Sequence, residues 1–499
     1  MIDRLYEEAT HPMDLVLATA DDLTRAVDGT LGETVTTNTM FVFVAAVLVL
    51  FMQAGFAMLE IGFSRAKNAG TGVAKILTNL SIAAICYWAV GFAFAFGSAD
   101  VLGISSAIIG SNGFFLQFTG NGQEAFPVMG VSDATVEVKW LFQFAFCAVS
   151  LAIVWGSTLE RIKYSAYVIF AIVFASIIYP IGSHWVFGGG WLQMGDTGLM
   201  PTGMQDFAGS TAVHLIGATG ALTALLLLGP RKGKYGPDGK PRAIPGHSMP
   251  LVGLGTIILF VGWFGFNPGS TLGIGDTRLA EVAVVTLLGC AGGVIGAFAA
   301  TQIKQKTIDI GMVANGAIAG LVAITAPSGY VELWAGPIIG FVAGLIVVFG
   351  VIWIDKKIDD PVGATSAHGL AGIWGTLACG IFTAPRLAQY NAFGDPDGGL
   401  VYSGQFTQLI AQAVGVLVAF GFVFGMSFAT FALIKATIGL RVSEEDEEAG
   451  LDIVEHGMYG YPEQFIPQSD FGGPAGGPPE GPAHAPNGAR MPQPGEVTA

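Results

Sequence analysis

Eleven apolar stretches of membrane-spanning length run through the chain and restrict what it can fold into. About 20 apolar residues in an α-helix cross about 30 Å of hydrocarbon. The stretches lie at residues 39–62, 76–97, 139–158, 164–182, 206–228, 249–267, 281–302, 310–326, 334–354, 363–382 and 405–436. Only 12% of the 499 residues are charged, against about 25% in an average soluble domain. The sequence therefore predicts an all-α polytopic membrane protein with eleven transmembrane helices, in the plasma membrane.

The positive charges between these stretches predict how the helices are oriented. Short cytoplasmic loops are enriched in lysine and arginine. Alternate connections hold most of these residues, as at Arg231, Lys232 and Lys234 after the fifth stretch. With an odd number of spans, this pattern predicts an N-terminus outside the cell and a C-terminus inside it.

Composition divides the chain into four regions. Residues 1–38 form a predicted extracellular segment, and residues 39–437 form the transmembrane domain. Region 438–460 mixes acidic residues with apolar ones and is predicted to dock on the cytoplasmic face. The tail 461–499 is rich in proline and glycine, cannot bury a core and is predicted to be disordered.

Two histidines lie within apolar stretches, and each follows the same sequence frame. Asp206, Gly209 and Thr211 precede His214, and Asp360, Gly363 and Thr365 precede His368 at the same spacings. Ionisable side chains are costly at bilayer depth and usually mark a functional path. Inverted repeats place corresponding segments of two halves at a shared site. We therefore predict an inverted five-helix repeat plus one extra helix, with both imidazoles lining one pore. The alternative is that each histidine only joins helices by hydrogen bonds.

Aromatic and hydroxyl side chains gather near the predicted outer ends of the helices. They are Phe142, Phe146, Trp185, Phe187, Trp263, Phe264, Phe266 and Ser270. Aromatic faces attract small cations by up to about 2 kcal/mol when desolvated, and a hydroxyl accepts hydrogen bonds from N–H donors. Such a cup suits a small protonated amine, although tryptophan and tyrosine also form belts at membrane interfaces.

A small amine would cross the apolar part of such a pore more easily without its proton. Carrying an intact cation through an apolar core costs up to tens of kcal/mol in the Born limit. Removing the proton at pH 7 costs only about 4 to 5 kcal/mol, with the lysine pKa of about 10.4 as a guide. The sequence therefore predicts that the substrate loses its proton before it passes the imidazoles.

Other classes of function find little support in the sequence. Cys86, Cys147, Cys290 and Cys379 lie in apolar stretches without CxxC spacing, which indicates neither a disulfide framework nor a zinc site. The net charge of −15 argues against nucleic acid as a partner. An intramembrane enzyme with His214, His368 and Asp206 as metal ligands is a rival, but no HExxH pattern is present. We expect no cofactor, no metal and no enzymatic activity.

Four long motifs carry a resemblance to a known family. They read FMQAGFAMLEIGFSRAKN at 51–68, DFAGSTAVH at 206–214, GWFGFNPGS at 262–270 and DDPVGATSAHG at 359–369. Over about residues 39–460 the chain resembles the ammonium transporter family (Amt/Mep/Rh). The resemblance implies eleven helices with an inverted repeat, a homotrimer with one pore per subunit, and uptake of ammonium or methylammonium. It also implies that region 438–460 contacts a neighbouring subunit and that a cytoplasmic PII-type protein blocks the pore through it.

The resemblance also implies roles for single residues. Phe146 and Phe266 resemble a stacked gate, and His214 and His368 resemble a hydrogen-bonded pore pair. The predicted outer recruitment site comprises Phe142, Trp185, Phe187, Ser270 and the supporting Asp206. Phe187 departs from the pattern, because many relatives have tryptophan before the glycine triplet, and loss of that indole is expected to weaken recruitment. Gly363 replaces the usual second aspartate of the tenth-helix motif, so polar support for that helix must come from elsewhere.

The mechanism implied by the resemblance is recruitment of NH4⁺ outside, deprotonation, separate passage of NH3 and the proton, and reassembly inside. Two rival functions remain for the same fold. An ammonium sensor would report occupancy through region 438–460, although the sequence carries no appended kinase or cyclase module. A neutral-gas channel for carbon dioxide, proposed for Rh-type relatives, is disfavoured by the bacterial and archaeal style of the motifs.

Overall fold

The computed structural model describes residues 12–98, 107–120, 122, 124–195, 199–275, 277–391 and 393–465, with side chains from residue 32 onward except at Val131. Within this part of the chain the backbone forms helices and turns, and the β-pairing is confined to isolated bridges such as Ile162 with Arg441. The prediction of an all-α protein is confirmed for these residues. The start of the predicted segment 1–38 and most of the tail 461–499 lie outside them.

The first five long helices end with the one that carries His214. They are α1 at Pro12–Phe63; α2 at Ala69–Cys86, continued through a π-helical turn at Tyr87–Gly91 to Phe92–Phe96; α3 at Val136–Ser157; α4 at Tyr164–Val173, continued through a π-helical turn at Phe174–Ile178 to Tyr179–Phe187; and α5, with a π-helical turn at Ser210–Leu215 followed by Ile216–Leu228. A short helix at Trp191–Met194 lies between α4 and α5.

The second set of long helices contains the one that carries His368. It comprises α6 at Met249–Phe266; α7 at Arg278–Gln305; α8 at Ile310–Thr325; α9 at Ala335–Ile354; α10, with a π-helical turn at Thr365–Leu370 followed by Ala371–Phe382; and α11 at Thr407–Thr437. Ser248 and Asp309 cap the starts of α6 and α8 by accepting backbone N–H groups. Pro268 follows directly on the end of α6, where proline cannot continue the helix.

Nine of the helices in the described residues are long and apolar enough to cross a membrane. The two remaining long helices are α8, which has 16 residues, and α10. The eleven predicted apolar stretches thus coincide with eleven helices, of which nine meet the requirement for a membrane span. Eleven crossings, the inverted repeat and the sidedness of the two termini stay predictions.

Small residues bring three helices of the second set into close contact. A Cβ atom added at Gly293 of α7 would overlap the backbone carbonyl of Gly316 in α8, and one added at Gly344 of α9 would overlap the carbonyl of Gly293. In membranes, helices gain most of their association from such close packing, since lipid is as apolar as the side chains. The glycines therefore hold α7, α8 and α9 together.

The basic connections meet at one end of the bundle, where they form a buried ionic network. Arg231 donates to both carboxylate oxygens of Asp359 at 2.9 Å, and its backbone N–H donates to the same carboxylate at 2.8 Å. Arg161 donates to the backbone carbonyl of Asp359 at 2.7 Å, and Arg65 pairs with Glu160 at 2.6 Å. The connections after α1, α3, α5 and α9 are thereby tied together.

Region 438–460 packs against the same end of the bundle. It contains α12 at Glu444–Ala449 and α13 at Leu451–His456, and Pro462–Phe465 forms a further short helix. Asp452 accepts the backbone N–H groups of Gly70 and Thr71 at 2.9 and 2.7 Å, where α2 begins. Lys67 donates to the backbone carbonyls of Glu447 and Glu448. The region is therefore held by specific bonds to the start of α2.

Candidate functional site

Two imidazole rings meet in the interior where the first turns of α5 and α10 touch. The Nδ1 atoms of His214 and His368 lie 3.2 Å apart, with ring centroids 5.2 Å apart and ring planes inclined by 22°. His214 is fully buried and His368 is 5% exposed. In a neutral pair, one Nδ1–H donates and the other Nδ1 accepts, so the donor ring has a bare Nε2 and the acceptor ring carries its proton on Nε2. The pair therefore presents one accepting and one donating nitrogen.

The repeated frame positions both histidines by capping the helices that carry them. Asp206 accepts four backbone N–H groups at 2.8–3.0 Å, those of residues 209–212. Asp360 accepts the backbone N–H and the hydroxyl of Thr365 at 2.8 and 2.7 Å. Each histidine follows in a π-helical turn, a feature frequent at functional sites. The frame thus fixes the direction of each imidazole.

The glycine of the frame has a conformational role in both helices. Gly209 and Gly363 have φ angles of +124° and +72°, a region in which side chains with a Cβ are disfavoured. Polar support for α10 comes from Asp360 and from Asn315, whose amide donates to the carbonyl of Val362 at 3.1 Å. Gly363 is therefore required by the backbone, and neighbouring side chains supply the polar support.

A series of aromatic contacts connects the histidine pair to a large cavity. The rings of Phe146 and Phe266 are in contact, with centroids 4.1 Å apart, and Phe142 packs on Phe146 at 4.6 Å. His214 stacks on Phe266 at 5.4 Å and on Trp263 at 5.3 Å. Phe146 and Phe266 are 1% and 0% exposed. The two buried phenylalanine rings thus lie between the cavity and His214.

The large cavity, of about 640 Å³, is lined by most of the residues predicted to recruit the substrate. Phe142, Phe146, Phe187, Asp206 and Ser270 all line it. The Ser270 hydroxyl donates to the carbonyl of Phe266 at 2.7 Å. Because its proton is used in that bond, the oxygen offers its lone pairs to an incoming N–H group. The carboxylate of Asp206 is occupied by backbone N–H groups, so it contributes negative charge and structure.

Trp185 is the one predicted recruitment residue that the structure places elsewhere. Its indole N–H donates to the carbonyl of Ile108 at 2.8 Å, and its ring packs on Trp191 and Phe422. It does not line the large cavity, whereas Phe187 does. Residues two apart on a helix point in different directions, which is why Trp185 cannot substitute for the tryptophan absent at position 187. The structure thus places Trp185 outside the lining of the large cavity, and its role in recruitment stays a prediction.

A small cavity of about 20 Å³ begins on the other side of the pair, at His368. Phe56, Glu60, Ile153, Asn315 and Ile318 are among its lining residues. Glu60 and Phe56 are not part of the site that the sequence predicts. The signal for Glu60 was present, since it is a carboxylate within the apolar stretch 39–62. Trp263 is one of several aromatic residues in the predicted outer cup, and its contact with His214 arises only from the tertiary packing.

Groups of three or more histidine, cysteine, aspartate or glutamate side chains suited to hold a metal ion are absent from the described residues. The four cysteines are free. Asp206, the third metal ligand of the rival enzyme hypothesis, has its oxygens directed at the backbone of residues 209–212. The histidine pair is thus suited to hydrogen bonding with a small molecule. Aromatic rings lie on one side of the pair, and a carboxyl group lies in the small cavity on the other side.

Comparisons with known proteins agree on one family. The family model for the Ammonium Transporter Family matches residues 40–461. Ammonium transporter Amt2 of Archaeoglobus fulgidus is 44% identical over 419 residues, which cover 83% of this chain and 86% of the relative. Ammonium transporter Amt1 of Haloferax mediterranei is 36% identical over 447 residues, which cover 87% of this chain and 80% of the relative.

Solved structures give the same result for the fold. A protein described as a Sensor Amt Protein superposes with a TM-score of 0.75 at 33% identity, covering 85% of this chain and 99% of the other. Mep2 of Candida albicans superposes with a TM-score of 0.73 at 27% identity, covering 83% of this chain and 88% of the other.

Proposed function

Since the chain belongs to the ammonium transporter family, we propose that it moves ammonium or methylammonium across the plasma membrane through the histidine pair. The observation that carries this proposal is the position of the pair. His368 lines the small cavity, and His214 reaches the large cavity through Phe266 and Phe146. Among the described residues, the groups that lie between the two cavities are aromatic rings and imidazoles. Such groups favour the passage of a small neutral molecule over that of a hydrated ion.

Recruitment takes place in the large cavity. The faces of Phe142 and Phe187 attract a cation by up to about 2 kcal/mol once water is displaced. Ser270 accepts one N–H of NH4⁺, because its own proton is held by the carbonyl of Phe266. Asp206, 6% exposed at the cavity wall, adds a negative charge without a direct bond. The cation therefore gathers next to the phenylalanine gate formed by Phe146 and Phe266.

Deprotonation follows because the gate and the pair exclude water. The contact of Phe146 with Phe266 leaves no room for a hydration shell. An unsolvated cation in this apolar passage would cost many kcal/mol, whereas loss of the proton costs about 4 to 5 kcal/mol at neutral pH. NH3 then passes the rings, and its proton moves separately.

The histidine pair is complementary to NH3. NH3 has one lone pair and three N–H groups, so it needs both a donor and an acceptor from the wall. A neutral Nδ1–Nδ1 pair supplies one of each at its Nε2 atoms. His214 Nε2 is buried without a hydrogen-bond partner among the described residues, and such a group costs about 1–3 kcal/mol until it is bonded. A passing NH3 satisfies it.

The test uses the full chain reconstituted in liposomes. His214→Ala and His368→Ala are expected to lose selective uptake of labelled methylammonium and ammonium-evoked current, while the oligomer remains folded. His247→Ala is the matched control, because this imidazole bonds to Ser64 and Tyr461 away from the pair. Wild-type rates and selectivity in both pore variants would overturn the assignment.

An ammonium sensor is the second candidate, favoured by the similarity to the Sensor Amt Protein and by the docked region 438–460. In that case ammonium would alter the docking of the region with little flux. The same liposome assay separates the two functions, because a sensor gives no flux in the wild type. Carbon dioxide permeation without ammonium flux would instead indicate a neutral-gas channel.

Assembly and regulation complete the proposal. The protein is proposed to be a homotrimer of eleven-span subunits with its C-terminus in the cytoplasm, where region 438–460 contacts a neighbouring subunit and a PII-type protein binds. Many large apolar side chains are exposed on the single subunit, such as Leu77, Ile257 and Leu417, which suits contact with lipid or with a neighbour. Native mass spectrometry should give three times the subunit mass of 51.8 kDa.

A further inference from the structure

The small cavity contains one ionisable side chain besides His368, and it is Glu60 near the end of α1. The side chain is 2% exposed, and its Oε2 has no hydrogen-bond partner among the described residues. Gly156 of α3 lies beside it, since a Cβ added there would come within 2.8 Å of Oε1. A buried carboxyl oxygen without a hydrogen bond raises the free energy of the folded protein. Glu60 is therefore a candidate for a functional role.

A cation without hydrogen bonds accompanies Glu60. Lys75 of α2 is fully buried, and its Nζ has no hydrogen-bond partner within the described part of the chain. The ammonium group lies 3.6 Å from the ring centroid of Trp155, the residue before Gly156. Lys75 interacts electrostatically with Glu60 and also with Glu455 of α13. A charged Lys75 would offset the charge of an ionised Glu60 without occupying its Oε2.

The other polar groups at the cavity are already engaged. Asn315 donates to the carbonyl of Val362 at 3.1 Å, and its amide does not titrate. The Nδ1 of His368 is bonded to His214. Among the described residues, Glu60 is therefore the carboxyl group of this cavity, and its Oε2 is free to accept a hydrogen bond.

We propose that Glu60 is the proton-transfer residue of the small cavity, where it reprotonates NH3 after passage of the histidine pair. This inference rests on the proposed transport function. The carboxyl O–H breaks as an N–H bond forms, which leaves Glu60 ionised and NH4⁺ in the cavity. The carboxylate then accepts the proton that the next ammonium ion releases at the gate. That proton crosses the histidine pair: an N–H bond forms on His214, the shared Nδ1 proton moves from one ring to the other, and an N–H bond of His368 breaks as the carboxyl O–H forms again.

The first test is the charge movement evoked by an ammonium pulse in liposomes that contain the full chain. Glu60→Gln keeps the shape of the side chain but cannot cycle a proton, and we expect the current to fall by about 100-fold, the lower end of what positioned acid–base groups contribute. The ammonium concentration that gives half-maximal current should change little, because recruitment takes place in the large cavity. A solvent isotope effect on the wild-type current should disappear from the residual current of the variant.

Three further variants separate proton transfer from a structural role. Glu60→Asp retains the proton and should recover part of the current with an altered pH profile. Gly156→Ala leaves every titratable group intact but places a methyl group against Oε1, so it should lower the current as well. Glu332→Gln is the matched control, because this carboxylate pairs with Arg386 outside both cavities, and it should behave as the wild type.

The outcomes are distinguishable. Wild-type current and isotope effect in Glu60→Gln would overturn the inference while the proposed transport function stands. If the wild type itself gives no ammonium-driven flux, both fall. If Glu60→Gln does not fold, the currents of Glu60→Asp and Gly156→Ala test the inference instead. A wild-type current and pH profile in both of these variants would overturn the proposed role of Glu60.

Discussion

Ser270 shows how a single hydroxyl can select the charged form of the substrate. Its proton is held by the carbonyl of Phe266 at 2.7 Å, so the oxygen can only accept. NH4⁺ has four donors and no lone pair, and it fits such an acceptor better than water or NH3 does. Selection of NH4⁺ by Ser270 belongs to the proposed function, and it would follow from the direction of this hydrogen bond.

We expect Ser270→Ala to raise the half-saturation concentration for ammonium roughly tenfold, since a hydrogen bond to a charged group contributes about 1.5 kcal/mol or more. The maximal rate should stay near the wild-type value, because the gate and the histidine pair are untouched. Current against ammonium concentration measures both quantities.

Ser81→Ala provides the control for that change. Ser81 is exposed on α2 and donates to the carbonyl four residues earlier, as Ser270 does, but it lies outside the large cavity. An equal shift in both variants would show that the effect does not come from recruitment.

At the scale of helices, the aspartates of the repeated frame determine how the histidines are held. Asp206 accepts four backbone N–H groups at the start of α5. An amide in its place has one oxygen acceptor and no charge to complement the positive end of the helix. The four donors would then compete for a single weaker acceptor.

Asp206→Asn is therefore expected to destabilise the protein by about 1–3 kcal/mol, the cost of leaving buried donors without a partner, and to lower selective uptake. Thermal unfolding in detergent and methylammonium uptake measure the two effects. Asp309→Asn is the comparison, because Asp309 caps α8 through one N–H, that of Met312, and asparagine caps helices about as well as aspartate. Equal loss in the two variants would contradict the special role of Asp206.

The glycine contacts of α7, α8 and α9 give a second prediction at this scale. A Cβ at Gly293 would overlap the backbone of α8, so Gly293→Ala should cost about 1–3 kcal/mol through overpacking. Gly253→Ala on α6 is the control, since nothing lies within 4 Å of its Cβ position, and it should leave the unfolding temperature unchanged or raise it. A Gly293→Ala protein as stable as the wild type would show that the helices can separate without cost.

Much of the helix pattern and the histidine pair could be predicted from the sequence, and the reasons are physical. Apolar length specifies a helix locally, and the frame around His214 recurs around His368 because both helices need the same aspartate cap and positive-φ glycine. Tertiary contacts were harder to predict. The direction of Trp185 depends on Trp191 and Phe422, and the exposure of Glu60 to a cavity depends on helices far away in sequence.

At the scale of the whole molecule, two ionisable groups at one end of the bundle predict different responses to acid. Burial raises the pKa of Asp359, but the hydrogen bonds and charge of Arg231 and the charge of Arg161 outweigh it and lower this pKa from its ordinary 3.8 to about 2. Its stabilising contribution is complete above pH 3.8 and is lost only as the pH falls towards 2. The ionic network should therefore survive mild acid.

At His456 of α13, the loss of stability on acidification begins at a higher pH than at Asp359. Burial lowers its pKa below the ordinary 6.5, and nearby Lys75 lowers it further, while Asp452 and Glu455 oppose the shift. Its ring packs against Tyr164 at 5.4 Å. Because the pKa of His456 is lower in the docked region than in the released one, the docked region binds fewer protons. The contribution of His456 to docking is therefore complete above pH 6.5 and declines as the pH falls below that value.

We therefore expect region 438–460 to be docked less firmly at about pH 5 than at about pH 7, while the bundle stays folded, because protonation of His456 favours the released region. Hydrogen exchange of the region as a function of pH is the measurement. His456→Gln should remove most of the acid sensitivity. Equal protection of the region at both pH values in the wild type would contradict the prediction.

The bond between His214 and His368 joins two chemically identical atoms, so it has two possible polarities. With His214 as donor, the ring that borders the small cavity offers an N–H at its far nitrogen; with His368 as donor, that nitrogen is bare. Reversal requires both rings to exchange tautomers. The pair is therefore a binary element, and its setting decides whether the small cavity meets a donor or an acceptor.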